Sequence, residues 1–465
     1  MLLDPVFLAR VQFGLTITFH IIFPTMSIGL AAFLTIVEGV WLKTGDQLYL
    51  RIYRFWLKIF ALGFGVGVVS GLVLSFELGT NFSGFSRIAG PVIGPMIALE
   101  VLTAFFLEAG FLGIMLFGMG RVGPKLHFFA TLMVALGTTI SAAWILAANS
   151  WMHTPHGVVY DAIAGKFEVI DRLQVIFNPS YLVRLPHMLL AAYIAVSFFI
   201  AGVAAFYLLR QRHLDFARRT LSLSLGFGSI AIAAQLSLGD TLAFRMADYQ
   251  PAKFQAMEGY WEPTANAAYL LFITPNQQEE RNGIQFGIPY LGSLMLTHSL
   301  TGTVHGLKET LAPDRPPMGA VFYAFRTMFL LGLLMFATAS LGIWLRLRKR
   351  LFSATWFHRL LMYMIPVGFI ATVAGWYTSE IGRQPWVIYG YLRTADAVSP
   401  VPANSMLFTL ILFAITYTVF LVSFIAITCN VIRKGPSDIA AHSPYGGSLK
   451  RALMIAKPGN KTPYV

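Results

Sequence analysis

Cysteine is nearly missing. Cys429 is the only one in 465 residues, which rules out an internal disulfide and any CxxC metal site and argues against a zinc or iron–sulfur centre. Charge is scarce too: Asp, Glu, Lys and Arg make up 12% of the chain, against about 25% in soluble domains. Acidic residues are the scarcer sign, 21 against 34 basic. No phosphate loop occurs. The glycine-rich GFGVGVVSG at 63–71 lies in an apolar run, has no Lys-Ser/Thr after it, and reads as close helix packing. There is no repeat of 20–50 residues and no clear inverted symmetry between the halves, which counts against a transporter. The opening MLLDPVFLARVQFG lacks a basic n-region and a small-residue cleavage site, so the first apolar stretch is expected to be a retained helix.

Apolar residues are plentiful. They form 56% of the chain and mean hydropathy is +0.66, the composition of an integral membrane protein. About 20 apolar residues cross a bilayer as a helix. Nine stretches qualify: 15–41, 54–78, 93–119, 126–150, 185–209, 219–240, 320–345, 359–380 and 404–432. The expected fold is all-α and polytopic. Lys and Arg test the count, because they gather in cytoplasmic loops. Segments 42–58, 120–126, 210–219, 346–359 and 433–465 hold 21 of them. The N-terminus and alternate loops hold 12 over a greater length. That alternation fits nine crossings, with the N-terminus outside and the C-terminus cytoplasmic. The net charge of +13 is then largely topology, and nucleic-acid binding is not expected. The chain divides into helices one to six (1–240), an extracytoplasmic loop folded over the membrane (241–319), helices seven to nine (320–432), and a basic, poorly ordered cytoplasmic tail (433–465).

Ionisable groups inside a membrane helix are costly and mark function by default. Helix three carries Glu100 and Glu108 in ALEVLTAFFLEAG. Eight residues give about 12 Å of rise and some 80° of rotation, so the pair could line one side of the helix as rungs for a proton. Two protonated carboxyls bonded to neighbouring helices are the alternative. Ser141 could extend the path or simply pack. His20, His187, Met328, Arg326, Glu100 and Glu380 all fall in the outer half of the membrane. A membrane His is often just a hydrogen-bonding residue, and a Met among Phe and Leu is usually packing. One His with one Met is nonetheless an axial pair for low-spin haem iron, and a nearby Arg suits a haem propionate. HTPHG at 153–157 reads as a polar outer loop before a surface metal, and RLRKR at 346–350 as a cytoplasmic anchor.

The segment GWYTSEIGRQPW, 375–386, sets a carboxylate and a guanidinium where an apolar helix ends. With RVQFGLTITFH, GTNFSGFS, ALEVLTAFFLEAG, SAAWILAANSWM, the Lys253–Glu258 stretch, QFGIPY, GLKE and FYAFRTM, it makes most of the chain resemble subunit I of cytochrome bd-type quinol oxidases. The resemblance implies nine helices and three haems near the outer face. His187 and Met328 match the low-spin haem b ligands. Glu380 matches a ligand of high-spin haem b and His20 one of haem d, with haem b in place of haem d in some members. Glu100 and Glu108, with Ser141, match the proton path, Arg383 the propionate environment, Trp376 a position between macrocycles, and Lys253 and Glu258 the quinol-binding loop. Segment 310–319 runs straight into helix seven, as in the short-loop branch that includes cyanide-insensitive oxidases. Gly120 stands where some relatives carry Asp, which questions their proton entry here.

The resemblance implies a terminal oxidase subunit in the bacterial cytoplasmic membrane, oxidising ubiquinol or menaquinol outside and reducing O2 to water with cytoplasmic protons. It implies a second membrane subunit, and a small single-helix accessory subunit in some assemblies. The reading from another class is a proton-coupled transporter that uses Glu100, Glu108 and His20 as its relay.

Overall fold

The computed structural model describes residues 4–437, so the expected tail of 433–465 lies outside the described residues apart from its first five. Among the described residues nine helices are long and apolar enough to cross a bilayer. They are α1 (Pro5–Thr44), α2 (Gln47–Thr80), α3 (Ser83–Phe117), α4 (Pro124–His153), α5 (Tyr181–Leu209), α6 (Leu214–Tyr249), α7 (Met318–Leu347), α8 (Thr355–Ile381) and α9 (Ala403–Lys434). Each expected span falls within or close to one of them. The helices run longer because helical hydrogen bonding continues past the apolar core: α6 extends to Tyr249 through Asp240, Arg245 and Asp248.

Local chemistry sets the ends. Asp4 and Asp46 accept from the backbone N–H of Val6 and Leu48, capping α1 and α2, and Pro5 opens α1 where no N–H donor is needed. Gly45, at φ 70°, supplies the left-handed turn between them. Two helices are interrupted. In α8 the regular helix breaks between Tyr363 and Val367, around Pro366. In α3 residues Val101–Phe105 form a π-helical turn.

Helix α5 is the most enclosed, with 72% of its apolar window buried, against 11% for α3 and for α9. Lipid gives helices no hydrophobic reason to associate, so close approach through small residues matters. A Cβ on Gly29 of α1 would sit 2.6 Å from the Ala192 carbonyl of α5, and one on Gly368 of α8 would sit 2.3 Å from Ala195 Cα. Around these contacts Trp41, Trp56, Tyr53, Phe55, Phe60 and Tyr207 fill the main core.

Crossings alternate, so the connections fall into two sets. One set, 45–46, 118–123, 210–213 and 348–354, is short. The other carries four two-stranded antiparallel pieces of sheet and the longest connection, 250–317. That connection is folded: a helix Pro251–Glu258 and a hairpin Tyr269–Asn276/Arg281–Ile288 pack against the start of α7.

Candidate functional site

Where α4 and α8 end and α5 begins, a polar cluster is sealed among apolar side chains. Glu380 is its centre. Its Oε1 accepts from Asn149 Nδ2 and His153 Nε2, both at 3.0 Å, and its Oε2 pairs with Arg383 Nη2 at 2.5 Å. Arg184 donates to Asn149 Oδ1 at 2.5 Å and to Ser379 Oγ at 3.0 Å. Lys253 reaches in from the helix Pro251–Glu258, and its Nζ donates to His153 Nδ1 at 2.9 Å. Gln250 Nε2 donates to the backbone carbonyl of the same histidine at 3.0 Å. The imidazole thus links Lys253 to Glu380, with the Nε2–H tautomer set by its two neighbours. Burial, then the Arg184 charge, hold Lys253 well below the usual lysine range, while Glu380 acts the other way.

Charge in this cluster does not balance. Arg184, Arg383 and Lys253 converge on one carboxylate, and Arg383 Nε and Nη1 are buried without hydrogen-bond partners. Such donors call for an anionic group.

The other expected ligands lie on neighbouring helices. His187 of α5 has a buried Nδ1 without a partner, while its Nε2 is 3.3 Å from Gln235 Nε2. Met328 of α7 packs on Gly375 of α8, where a Cβ would sit 2.7 Å from the sulfur. His20 of α1 bonds Ser70 Oγ through Nδ1 at 2.9 Å, which leaves Nε2 as the nitrogen free to ligate. Its ring lies on Gly71, 3.2 Å from where a Cβ would be. Trp376 lies beside Phe13, ring centroids 6.2 Å apart.

Glu100 and Glu108 come onto one face. An uninterrupted α-helix would separate them by about 80°. The π turn Val101–Phe105 lies between them and absorbs one residue, leaving about 20°. Glu100 Oε1 accepts from Ser141 Oγ of α4 at 2.6 Å, and Glu108 packs on Gly137, one turn earlier on the same helix. A Cβ at 137 would sit 2.4 Å from Glu108 Cγ. Gly137→Ala is expected to cost about 1–3 kcal/mol by overpacking and to displace Glu108; thermal melting and turnover of the purified complex read the two effects.

Lys253 and Glu258 do not face each other. Five residues apart on one short helix, they point about 140° apart. Glu258 pairs with Arg326 Nη2 at 2.9 Å, both buried. Arg326 also donates to the Leu270 carbonyl and lies over the rings of Tyr269 and Phe322, at 4.3 and 4.6 Å. It therefore ties the long connection to α7, with Nη1 the one nitrogen left without a partner.

The reading of 153–157 as a polar loop is corrected. His153 is the last residue of α4, buried and bonded to Glu380, while His156 is in the loop beyond the helix. Pro155 and Gly157 mask this in the sequence. Asn149, Arg184 and Gln250 were likewise not singled out. Nor were Glu77 of α2, which accepts from Asn81 Nδ2, or the buried pair Glu38 and His127. An ionisable residue inside an apolar span was the available signal for Glu38, Glu77 and His127.

The donors suit an iron porphyrin: two imidazoles, a thioether and a carboxylate on membrane helices, with one imidazole nitrogen of His187 and two Arg383 nitrogens unmet. Glu380 retains a lone-pair direction on Oε2 beside the Arg383 bond.

Nine apolar helices among the described residues, with a buried, cation-rich cluster between their ends, define a multi-pass membrane protein. A family model described as cytochrome bd terminal oxidase subunit I matches residues 8–436, and the chain belongs to that family. It is similar to the cytochrome bd ubiquinol oxidase subunit 1 of Bacillus subtilis (strain 168), 36% identical over 439 residues that cover 92% of this chain and 93% of that protein. The cytochrome bd-II ubiquinol oxidase subunit 1 of Escherichia coli (strain K12) is 32% identical over 507 residues, 95% of this chain and 99% of that one. The structure of bd oxidase from Geobacillus thermodenitrificans superposes with a TM-score of 0.86 at 31% identity, covering 93% of this chain and 99% of that chain. The chain is thus a subunit of a respiratory terminal oxidase, an oxidoreductase of a haem-containing class, and the transporter reading is not favoured.

Proposed function

We propose that this chain oxidises quinol on the side of the 250–317 connection and reduces O2 to water within its helices, alongside a second membrane subunit. The observation that carries this is the buried excess of cations around Glu380, with Arg383 donors unmet there and the His187 Nδ1 unmet on α5. An anionic, metal-bearing ligand answers both needs.

In this reading His187 and Met328 hold low-spin haem b, Glu380 high-spin haem b, and His20 haem d or a haem b in its place. Arg383 meets propionates and Trp376 stands between macrocycles. Bound haem supplies electron transfer and the reduction of O2. The protein's residues bind, orient and move protons. Glu258, held by Arg326, takes a proton from ubiquinol or menaquinol, and Lys253, turned about 140° away towards His153, would donate to the quinone oxygen only on leaving that bond. Those protons leave on the same side. Glu100, Ser141 and Glu108 carry the protons consumed by O2 from the opposite side, so turnover separates charge. The basic short connections support a cytoplasmic position for that opposite side, which would leave the N-terminus outside and the C-terminus inside a bacterial inner membrane. A small single-helix subunit completes some assemblies.

The test is a reduced-minus-oxidised spectrum and quinol-driven oxygen uptake of the purified two-subunit complex. Haem bands with uptake are expected. A colourless complex without uptake overturns the reading.

A further inference from the structure

Far from the Glu380 cluster, α1, α2 and α4 enclose a second polar group. Glu38 of α1 and His127 of α4 are both 0% exposed and joined by Oε1 and Nδ1 at 2.6 Å. The other end of each, Glu38 Oε2 and His127 Nε2, is buried without a hydrogen-bond partner. Tyr53 of α2 packs its ring on His127, centroids 5.8 Å apart, and bonds Thr131 Oγ1 at 2.8 Å. Fixing an isolated Glu–His pair in a dry core is costly, and stability alone does not call for one.

Position suggests its use. His127 is the fourth residue of α4 and Glu38 lies six residues before the end of α1, so the pair sits about two turns or less from the face with the short basic connections. From His127, α4 continues with buried Thr131 and Thr138, then Gly137 against Glu108 and Ser141 bonded to Glu100. His127, Thr131 and Thr138 fall within about 40° on that helix. They form a line of proton-bearing groups about 21 Å long from His127 to Ser141. Position 120, in the short connection after α3, is glycine and offers no proton-bearing side chain.

We infer that the Glu38–His127 pair is the proton-loading station on the basic face, delivering protons along α4 to Glu108 and Glu100. This rests on the oxidase reading above. A proton arriving at one unpartnered end is matched by release at the other as the bridging proton shifts between Oε1 and Nδ1, so the pair returns to its starting charge. Both residues are positioning residues here, since neither touches substrate or cofactor.

The experiment uses the complete oxidase, wild type and Glu38→Gln, in proteoliposomes. Glu38→Gln is expected to lower kcat for quinol-driven oxygen uptake about tenfold or more, with KM for quinol, haem spectrum and anaerobic haem reduction by quinol unchanged. The solvent deuterium isotope effect on turnover is expected to rise, and Glu38→Asp to restore most of the rate. If Glu38→Gln does not assemble, His127→Gln is measured in the same way. Full turnover with unchanged proton uptake in an assembled variant overturns the inference. A wild-type complex without oxygen uptake overturns the oxidase reading instead.

Discussion

His187→Ala is expected to remove one haem per complex and to lower quinol-driven oxygen uptake about 100-fold or more. The effect should be large because this ring has little other work: its Nδ1 is buried without a hydrogen-bond partner, and its Nε2 meets Gln235 at 3.3 Å. Burial of an imidazole with an unmet nitrogen is destabilising unless a ligand satisfies it. The alanine variant should therefore fold at least as well without the group as the wild type does. Pyridine haemochrome analysis and oxygen polarography check the two halves. Unchanged haem content in an active variant would remove His187 from the ligand set.

The second large effect is expected at Glu380. Glu380→Gln keeps the shape and can still accept from His153 and Asn149, but it leaves Arg383 and Arg184 in a sealed cluster without their carboxylate. Breaking a buried pair in this way costs about 3–5 kcal/mol, so the variant should show a lower apparent melting temperature and little assembled complex. Arg383→Gln isolates the two contributions. It removes a cation from the cluster that has too many, so assembly should suffer less, while ligand binding suffers if Arg383 holds an anion. Glu380→Gln with wild-type melting and turnover would show that neither charge balance nor ligation depends on this carboxylate.

Hydropathy made the nine helices legible, because bilayer thickness imposes a length that no soluble core imposes. Charge along the loops gave their alternation. The candidate ligands His20, His187, Met328 and Glu380 stood out as ionisable or soft groups in apolar runs. The sequence did not show which groups meet. His153 and Glu380 are bonded across 227 positions, and nothing near HTPHG announces that partner. Lys253 and Glu258 were expected together in the quinol-binding loop, yet the helical turn between them sends one to His153 and the other to Arg326. The π turn in α3 has no composition signature in VLTAF, so the rotation between Glu100 and Glu108 is set by the fold and not by their spacing in the chain.

That extra residue has a further consequence. Inserting or deleting a single position between 100 and 108 would swing one carboxylate about 100° around the helix, which no side-chain adjustment can reverse. A related chain could reach the same alignment with six positions between its acids and an unbroken helix. What such proteins must preserve is angular phase, so comparing them by residue count alone would pair the wrong atoms.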